Sequence, residues 1–262
     1  MLLVDVHAHL DHIDFKEDLD LVIQRAKQAG VKAIISNGIN PETNRSTLEI
    51  AKKYDIVKAA LGIYPIDALQ KESEIGECPL KPNVFDVDKE IKFIEANKNK
   101  IVAVAEIGLD FKYSKKKDEQ KQVFEKLLAL AEKLNKPVMV HSRGAEQDCV
   151  EILQTTRLKK IILHCFSGKL TLVKKGLDNG WFFSIPTNIV RSQQFQKIAE
   201  VSSLSQIFTE TDAPYLSPFR GTRNESSFII ETIKKIAKIK NLTQEEVANN
   251  IYMNYQRVFG KI

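Results

Sequence analysis

The chain has 262 residues, and 43% of them are hydrophobic, so it is long enough for one large core and matches the roughly 250 residues of a single (β/α)8 barrel. No run of about 18 apolar residues occurs, which argues against a membrane-spanning helix. The net charge of +5 suits an anionic partner, but charges of both signs are mixed along the chain, so a solvated lysine-rich surface explains this balance as well.

Short β-branched apolar runs alternate with longer amphipathic segments along the whole chain, as expected for parallel strands joined by crossover helices. The predicted strands are Leu2–Val6, Val31–Ser36, Ile56–Gly62, Ile101–Glu106, Pro137–His141, Lys160–His164, Trp181–Ile185 and Gln206–Thr211. Eight strands are what a closed barrel needs. We therefore predict an α/β fold, a TIM-like (β/α)8 barrel, formed by residues 1–262 as a single domain.

The segments between the strands show helical periodicity. Apolar residues repeat at three-to-four spacing over Lys121–Leu134, which predicts an amphipathic helix. Two more helices are predicted near the end of the chain, Ser226–Lys240 and Gln244–Phe259, with Thr243 capping the second. The stretch from Tyr64 to Val87 lacks periodicity and predicts a long loop, either a wall over the functional site or a tolerated surface insertion.

The cysteines and the N-terminal segment indicate the compartment. Cys78, Cys149 and Cys165 lie far apart and are odd in number, so we expect ordinary thiols and neither a disulfide framework nor a thiolate metal cluster. The N-terminal segment shows no basic leader with a signal-type apolar region. We therefore expect a cytoplasmic protein.

Imidazoles and carboxylates gather at the carboxyl ends of the predicted strands. They are His7, His9, Glu106, His141, His164 and Asp212. His7 and His9 are two residues apart, so the period of a strand points both side chains to the same side. Because β/α barrels carry their chemistry at the carboxyl ends of the strands, we expect all six side chains to converge on one rim.

This residue set is typical of a metal centre. Mixed imidazole and carboxylate ligands suit Zn²⁺, Mn²⁺ or a similar divalent ion, and suit Mg²⁺ less well. Six groups exceed the three protein ligands of a typical catalytic zinc, so two ions that share a bridging carboxylate fit better, and Glu106 is the candidate bridge. Such a pair can activate water and stabilise the leaving oxygen of a phosphodiester.

Seven segments, taken in order over essentially the whole chain, resemble the TatD-type metal-dependent deoxyribonucleases of the amidohydrolase superfamily. They are VDVHAHLD ending at Asp11, GIYP at Gly62–Pro65, EIGLDF at Glu106–Phe111, HSR at His141–Arg143, HCFSG at His164–Gly168, TDAPYL at Thr211–Leu216 and RNE at Arg223–Glu225. Several motifs in the right order are far more specific than any one of them. The resemblance implies a TIM-like barrel, two divalent metal ions and hydrolysis of DNA or another phosphodiester. We expect the protein to be a monomer.

The resemblance also implies a role for each of the six residues. One ion would be held by His7, His9 and Asp212, the other by His141 and His164, with Glu106 between them. Asp212 would orient or deprotonate the attacking water. Arg143, just past its strand, is either a phosphate clamp or a partner in a surface salt bridge.

Two positions depart from the family pattern. Tyr64 stands where the family usually has the histidine of Gly-x-His-Pro, a residue taken to contact the substrate phosphate. A tyrosine hydroxyl can donate a hydrogen bond but carries no positive charge, so we expect metal binding to survive and substrate preference or rate to change. Ser226 stands where a proline usually follows the glutamate, and we expect a small structural effect.

Weaker candidates for substrate contact lie on the loops after the strands. Ser167 can present its hydroxyl to phosphate at the next helix N-terminus, or it can simply form the turn. Arg223 is a further candidate phosphate contact. Tyr215 and Phe219, together with Tyr64, are candidates for stacking against bases because they fall in predicted rim loops.

Three polar residues flank the first histidine pair. Asp5 lies on the same side of its strand as His7, so it can orient a ligand imidazole or cap backbone amides. Asp11 allows the same two interpretations. His12 is expected to be an exposed loop histidine.

Two other functions share these features. A hydrolase of cyclic amides uses the same barrel and a similar His-x-His start, but such sites commonly bridge their metals with a modified lysine on the fourth strand. Here that strand ends in Glu106 and has no lysine after Lys100, which favours phosphodiester chemistry, although another ester stays open. An alternative of a different class is a non-catalytic nucleic-acid-binding protein that retains the fold. Such a protein would be expected to have lost one or more of the metal-binding residues, and none is lost here.

Overall fold

The computed structural model describes residues 1–75, 85–114 and 116–261. Its parallel strands are β1 (Leu3–Ala8), β2 (Val31–Gly38), β3 (Val57–Ile63), β4 (Ile101–Gly108), β5 (Val138–His141), β6 (Ile161–Leu163), β7 (Phe182–Pro186) and β8 (Ile207–Glu210). Each strand pairs with the next in chain order, so the eight form one sheet. The predicted TIM-like α/β barrel is confirmed, and each predicted strand matches an observed one to within two residues at either end.

The first and last strands meet at the rim and make the barrel nearly closed. Ala8 forms a parallel bridge with Ala213. The backbone N–H of Asp212 donates to the carbonyl of His7 at 2.8 Å, and the N–H of His9 donates to the carbonyl of Ala213, also at 2.8 Å. The closure therefore joins the first histidine pair directly to the loop that carries Asp212.

Helices cover the outside of the barrel between the strands. They are α1 (Leu19–Ala29), α2 (Pro41–Lys53), α3 (Ile66–Glu74), α4 (Val87–Ala96), α5 (Lys117–Leu134), α6 (Glu146–Gln154), α7 (Leu170–Asp178), α8 (Gln193–Val201), α9 (Ile229–Lys240) and α10 (Gln244–Phe259). The bounds of α10 agree with the prediction, and Thr243 and Glu246 form a capping box at its start. A short 3-10 turn over Ser226–Phe228 precedes α9, so this helix begins three residues later than predicted.

The prediction of one long loop from Tyr64 to Val87 is wrong in part. Helix α3 begins directly after Pro65, and α4 begins at Val87. The physical reason is tertiary, because Ala68 of α3 packs against Tyr64 and Ile39 in a small buried cluster at the rim. Residues 76–84 of that stretch, with Cys78, lie outside the described residues.

The core fills the barrel and the layer between strands and helices. Strand residues are buried on both faces, as parallel strands covered by helices require. Trp181, Phe182 and Phe183 are 3%, 6% and 0% exposed, which confirms them as core. Cys149 and Cys165 are unpaired thiols, as expected, and burial raises the pKa of both. Among the described helices, none is long and apolar enough to cross a bilayer.

Candidate metal centre

The six predicted ligands meet at the carboxyl end of the barrel. His7 lies in β1, Glu106 in β4 and His141 at the end of β5, while His9, His164 and Asp212 lie one or two residues beyond β1, β6 and β8. A cavity of about 510 Å³ opens above them. All but His7 line this cavity, and His7 is fully buried beside them. Residues from five strands are thus brought together as the spacing predicts.

Four of these side chains, His7, His9, Glu106 and Asp212, bring their potential ligand atoms close together. The Nε2 atoms of His7 and His9 are 3.3 Å apart. Glu106 Oε2 lies 3.3 Å from the first and 3.5 Å from the second, and Asp212 Oδ1 lies 3.7 Å and 3.4 Å from them. Ligands at about 2.0–2.1 Å from a tetrahedral metal are separated by about 3.3–3.4 Å, so these spacings fit one divalent ion.

The other oxygen of Glu106 faces a second group. Glu106 Oε1 lies 3.0 Å from His141 Nδ1 and 3.7 Å from His164 Nε2. These three side chains present their ligand atoms within 4.8 Å of one another. Glu106 therefore contacts both groups, one through each oxygen, which is the geometry of a bridging carboxylate.

Each of three imidazoles is oriented by a hydrogen bond from its other nitrogen. His164 Nδ1 pairs with Glu210 Oε2 at 2.9 Å, and His9 Nδ1 pairs with the Asn37 carbonyl at 3.0 Å. His141 is turned the other way: its Nε2 pairs with Asp110 Oδ2 at 3.1 Å, so Nδ1 faces Glu106. A carboxylate or carbonyl behind the imidazole fixes the tautomer and makes the facing nitrogen a better ligand.

The charges in the pocket suit a cation. Burial disfavours a charged imidazole, but the hydrogen bond to Asp212 and the charge of Glu106 outweigh it and raise the pKa of His9 to about 9. For His141, hydrogen bonds to Asp110 and Glu106 likewise outweigh burial and raise the pKa to about 9. Burial alone would raise the pKa of Glu106, yet the charge of His7 and the hydrogen bond of His141 hold it well below its usual value. A divalent cation can replace the protons that these carboxylates attract.

Asp212 and its loop are held in place by β1. Asp212 has a φ of 56°, in the left-handed region that costs most residues energy. Its position is fixed by the bond to the His7 carbonyl, and behind it Asp5 accepts bonds from the N–H and hydroxyl of Thr211 at 2.9 and 2.6 Å. Asp5 also accepts from Ser226 Oγ at 2.6 Å. Of its two predicted roles, Asp5 therefore fulfils the capping of backbone and hydroxyl groups.

The proposed phosphate contacts Tyr64, Arg143 and Ser167 all line the cavity. The hydroxyl of Tyr64 donates to Asp110 at 3.0 Å and lies 3.3 Å from Nε2 of His141, so it helps to hold the imidazole of that predicted ligand in place. Arg143 pairs through Nη1 with Glu72 of α3 and lies 3.5 Å from Asp110. Ser167 donates to Glu146 at 3.0 Å.

Two residues lie elsewhere than expected. Arg223 does not line the cavity; its guanidinium pairs with both oxygens of Asp18 at 2.6 and 2.9 Å and lies over the ring of Phe15. Its role as a phosphate contact therefore finds no support, because its guanidinium does not line the cavity above the candidate metal ligands. His12 is 7% exposed, so the expectation of an exposed histidine is wrong: its Nε2 lies 3.2 Å from the hydroxyl of Tyr215.

A family model described as "TatD related DNase" matches residues 4–260. The chain belongs to the TatD family. It is 35% identical to the human protein named deoxyribonuclease TATDN3, with 99% of this chain and 95% of the relative covered. It is 36% identical to a protein of Methanocaldococcus jannaschii named as an uncharacterized metal-dependent hydrolase, with 98% and 97% covered.

The fold agrees with a solved structure from the same family. The crystal structure of a TatD homolog from Escherichia coli superimposes with a TM-score of 0.85 at 24% identity, covering 99% of this chain and 98% of that one. This chain is therefore a TatD-family hydrolase with a barrel of the same type. Its imidazole and carboxylate groups are able to bind metal.

The sequence does not single out four residues that support this TatD-family site. They are Glu72, which pairs with Arg143; Asp110 and Glu210, which lie behind His141 and His164; and Asn224, whose Nδ2 donates to the carbonyl of Thr211 beside Asp212 at 2.7 Å. Glu210 ends an apolar strand as Glu106 does, so the same argument from a buried carboxylate could have found it. Asp110 and Asn224 lie inside two of the matched motifs, EIGLDF and RNE, but nothing in their spacing indicates their partners. Glu72 carries no signal of its own, since its helix was not predicted.

Proposed function

We propose that this TatD-family enzyme is a deoxyribonuclease that hydrolyses DNA phosphodiester bonds with two divalent ions. The observation that carries the proposal is the position of Glu106, whose two oxygens face two separate ligand groups. Two ions held by these groups would supply an activated water near neutral pH and neutralise charge on the leaving oxygen. The family name and the name of the human relative support DNA as the substrate.

The chain's own residues have distinct tasks in this proposal. Asp212, whose carboxylate is partly exposed at the cavity wall, accepts the proton of the attacking water. Arg143 has five N–H donors, of which Glu72 and Asp110 engage only one side, so the guanidinium can also bind a phosphate oxygen. The hydroxyl of Tyr64 donates a hydrogen bond to Asp110 and helps to orient His141. At this position the family usually has a histidine, which would instead bring a positive charge.

The rival functions fit the geometry less well. Strand β4 contains no lysine, so the carboxylate of Glu106 stands where cyclic-amide hydrolases commonly use a modified lysine. A non-catalytic binding protein would have no need of two imidazole groups gathered around the two oxygens of one carboxylate. Release of nucleotides, compared with hydrolysis of dihydropyrimidine-type substrates by the same metal-loaded protein, separates the two chemistries.

The test combines metal analysis with digestion of end-labelled single- and double-stranded DNA. We expect Glu106→Ala and Asp212→Asn to lower turnover by about 10³-fold or more, because each removes a group on which the chemical step depends. Glu119→Ala, which removes an exposed carboxylate on α5, is the matched control and should keep wild-type turnover. Circular dichroism verifies that the variants are folded. Wild-type turnover in either site variant refutes the catalytic assignment.

A further inference from the structure

The cavity above the metal ligands has two chemically different sides. Because the strands follow one another around the barrel, loops after β3 and β5 lie across from loops after β7 and β8. The first side carries the polar groups of Tyr64 and Arg143. The second side is formed by Tyr215 and Leu216 after β8 and by Phe195 of α8. A nucleotide is likewise charged at its phosphate and apolar on the faces of its base.

The ring of Tyr215 is held in a fixed position on the second side. Its backbone N–H donates to the carbonyl of Asp212 at 2.8 Å, and its carbonyl accepts from Asn224 Nδ2 at 2.6 Å. Its hydroxyl lies 3.2 Å from His12 Nε2, and the two rings meet edge to face. The side chain is nevertheless 36% exposed at the cavity. A rigid, exposed aromatic face binds a planar partner with little loss of conformational entropy.

A polar group beside this surface lacks a partner. Asn188, in the 3-10 turn after β7, lines the same cavity. Its Oδ1 is buried and has no hydrogen-bond partner among the residues that the structure describes. A buried acceptor without a donor is unfavourable, so a ligand N–H in the cavity would favour a rotation of the Asn188 side chain that brings Oδ1 to it.

We propose that Tyr215, Leu216, Phe195 and Asn188 bind the nucleobase of the nucleotide next to the scissile phosphate. The base stacks on Tyr215 and directs an N–H toward Asn188 Oδ1, while the phosphate lies at the metal ligands and Arg143. Every natural base offers an N–H on its pairing edge and has an aromatic face, so the site accepts all four. This inference rests on the proposed phosphodiester hydrolysis and adds the part of the substrate that the enzyme recognises.

The experiment compares pairs of single-stranded oligonucleotides that differ by one base. One member is complete, and the other carries a tetrahydrofuran abasic residue at a single position, scanned on both sides of the cleaved bond. The readout is the ratio of kcat/KM for the two members, because a general catalytic defect cancels from it. Fluorescence anisotropy with uncleavable methylenephosphonate analogues of the same pair measures binding directly.

For the wild type we expect the complete substrate to be favoured at one flanking position by about 5- to 150-fold, the range for stacking one base on an aromatic ring. Tyr215→Ala should bring that ratio close to one in both activity and binding. Tyr215→Phe keeps the ring and should keep the ratio, as should Phe219→Ala, which removes an exposed aromatic residue of the same loop that does not line the cavity. Asn188→Ala should reduce the ratio by a smaller factor.

The possible failures are distinguishable. If the wild type cleaves complete and abasic substrates equally, or if Tyr215→Ala leaves the ratio unchanged, the base site is refuted and phosphodiester hydrolysis stands. If the metal-loaded wild type cleaves neither substrate, the proposed function itself is refuted, and the base site with it.

Discussion

Asn224 connects the loop that carries Asp212 to the rest of the rim, and its removal should be costly. Its Nδ2 donates to the carbonyls of Thr211 and Tyr215 at 2.7 and 2.6 Å and to Thr187 Oγ1 at 2.9 Å. Its Oδ1 accepts from the N–H of Glu225 at 3.0 Å. The side chain is fully buried. Asn224→Ala therefore leaves these polar groups without their hydrogen-bond partner in a place that water does not easily reach.

The size of the effect follows from the number of buried groups that lose their partner. Thr211 O and Glu225 N are both in buried bonds, and a buried group left unsatisfied costs about 1–3 kcal/mol. Thr187 Oγ1 still donates to the carbonyl of Leu216 at 2.9 Å, and the Tyr215 carbonyl is only partly buried, so these two add little. We expect the free energy of unfolding to fall by about 2–6 kcal/mol for the two groups together. For a chain of this length that is a fall of about 4–11 °C in Tm.

Urea unfolding measures this loss. Trp181 is the only tryptophan and is buried, so its fluorescence reports the transition of the barrel. Asn250→Ala is the matched control, because that exposed asparagine makes one hydrogen bond, to the Glu246 carbonyl, and its loss should change stability by less than about 0.5 kcal/mol. A loss below about 1 kcal/mol in Asn224→Ala, with an unchanged m-value, would mean that these groups find other partners and would refute the reasoning.

Two more predictions concern the residues that orient the ligands. Glu210→Ala removes the partner of His164 Nδ1, so the affinity for divalent ions should fall by about 10- to 100-fold in competition with a chromogenic chelator; unchanged affinity would contradict that role. Gly108 has a φ of 146°, and a Cβ added there would lie 2.8 Å from the carbonyl carbon of His141. Gly180 also has a positive φ, but a Cβ added there would meet no neighbouring atom of the described residues within 4 Å. Gly108→Ala should therefore lower the urea midpoint far more than Gly180→Ala. Equal midpoints would show that crowding at His141 is unimportant.

Much of the site could be predicted because its rules are local. Because His7 and His9 are two residues apart, their side chains lie on the same side of a strand, whatever surrounds that strand. A polar residue that ends an apolar strand lies at the carboxyl rim, and barrel closure then brings such residues together. For this reason Glu106 and His141 could be assigned to one centre although they lie in different strands. Helix α10 was predictable for a similar reason, since the capping residue and the apolar periodicity that indicate it both lie within the segment itself.

The partners of the charged groups could not be predicted in this way. Glu72 lies 71 residues from Arg143, and Asp18 lies 205 residues from Arg223, so no spacing rule connects them. Both arginines carry the same charge in the sequence. Only the packed structure shows that Arg143 lines the cavity, whereas Arg223 forms an ion pair with Asp18 outside it.

The sequence by itself determined the number and order of the strands, the rim at which they end and the six residues predicted to bind metal, because strand period and strand ends are properties of short segments. The tertiary structure alone decided that His141 turns Nδ1 to the centre while His164 turns Nε2, and that Glu210 and Asp110 stand behind them. The orientation of His141 and of His164 depends on hydrogen bonds to residues that lie 31 and 46 positions away in the sequence. These partners come within hydrogen-bonding distance only when the barrel has formed.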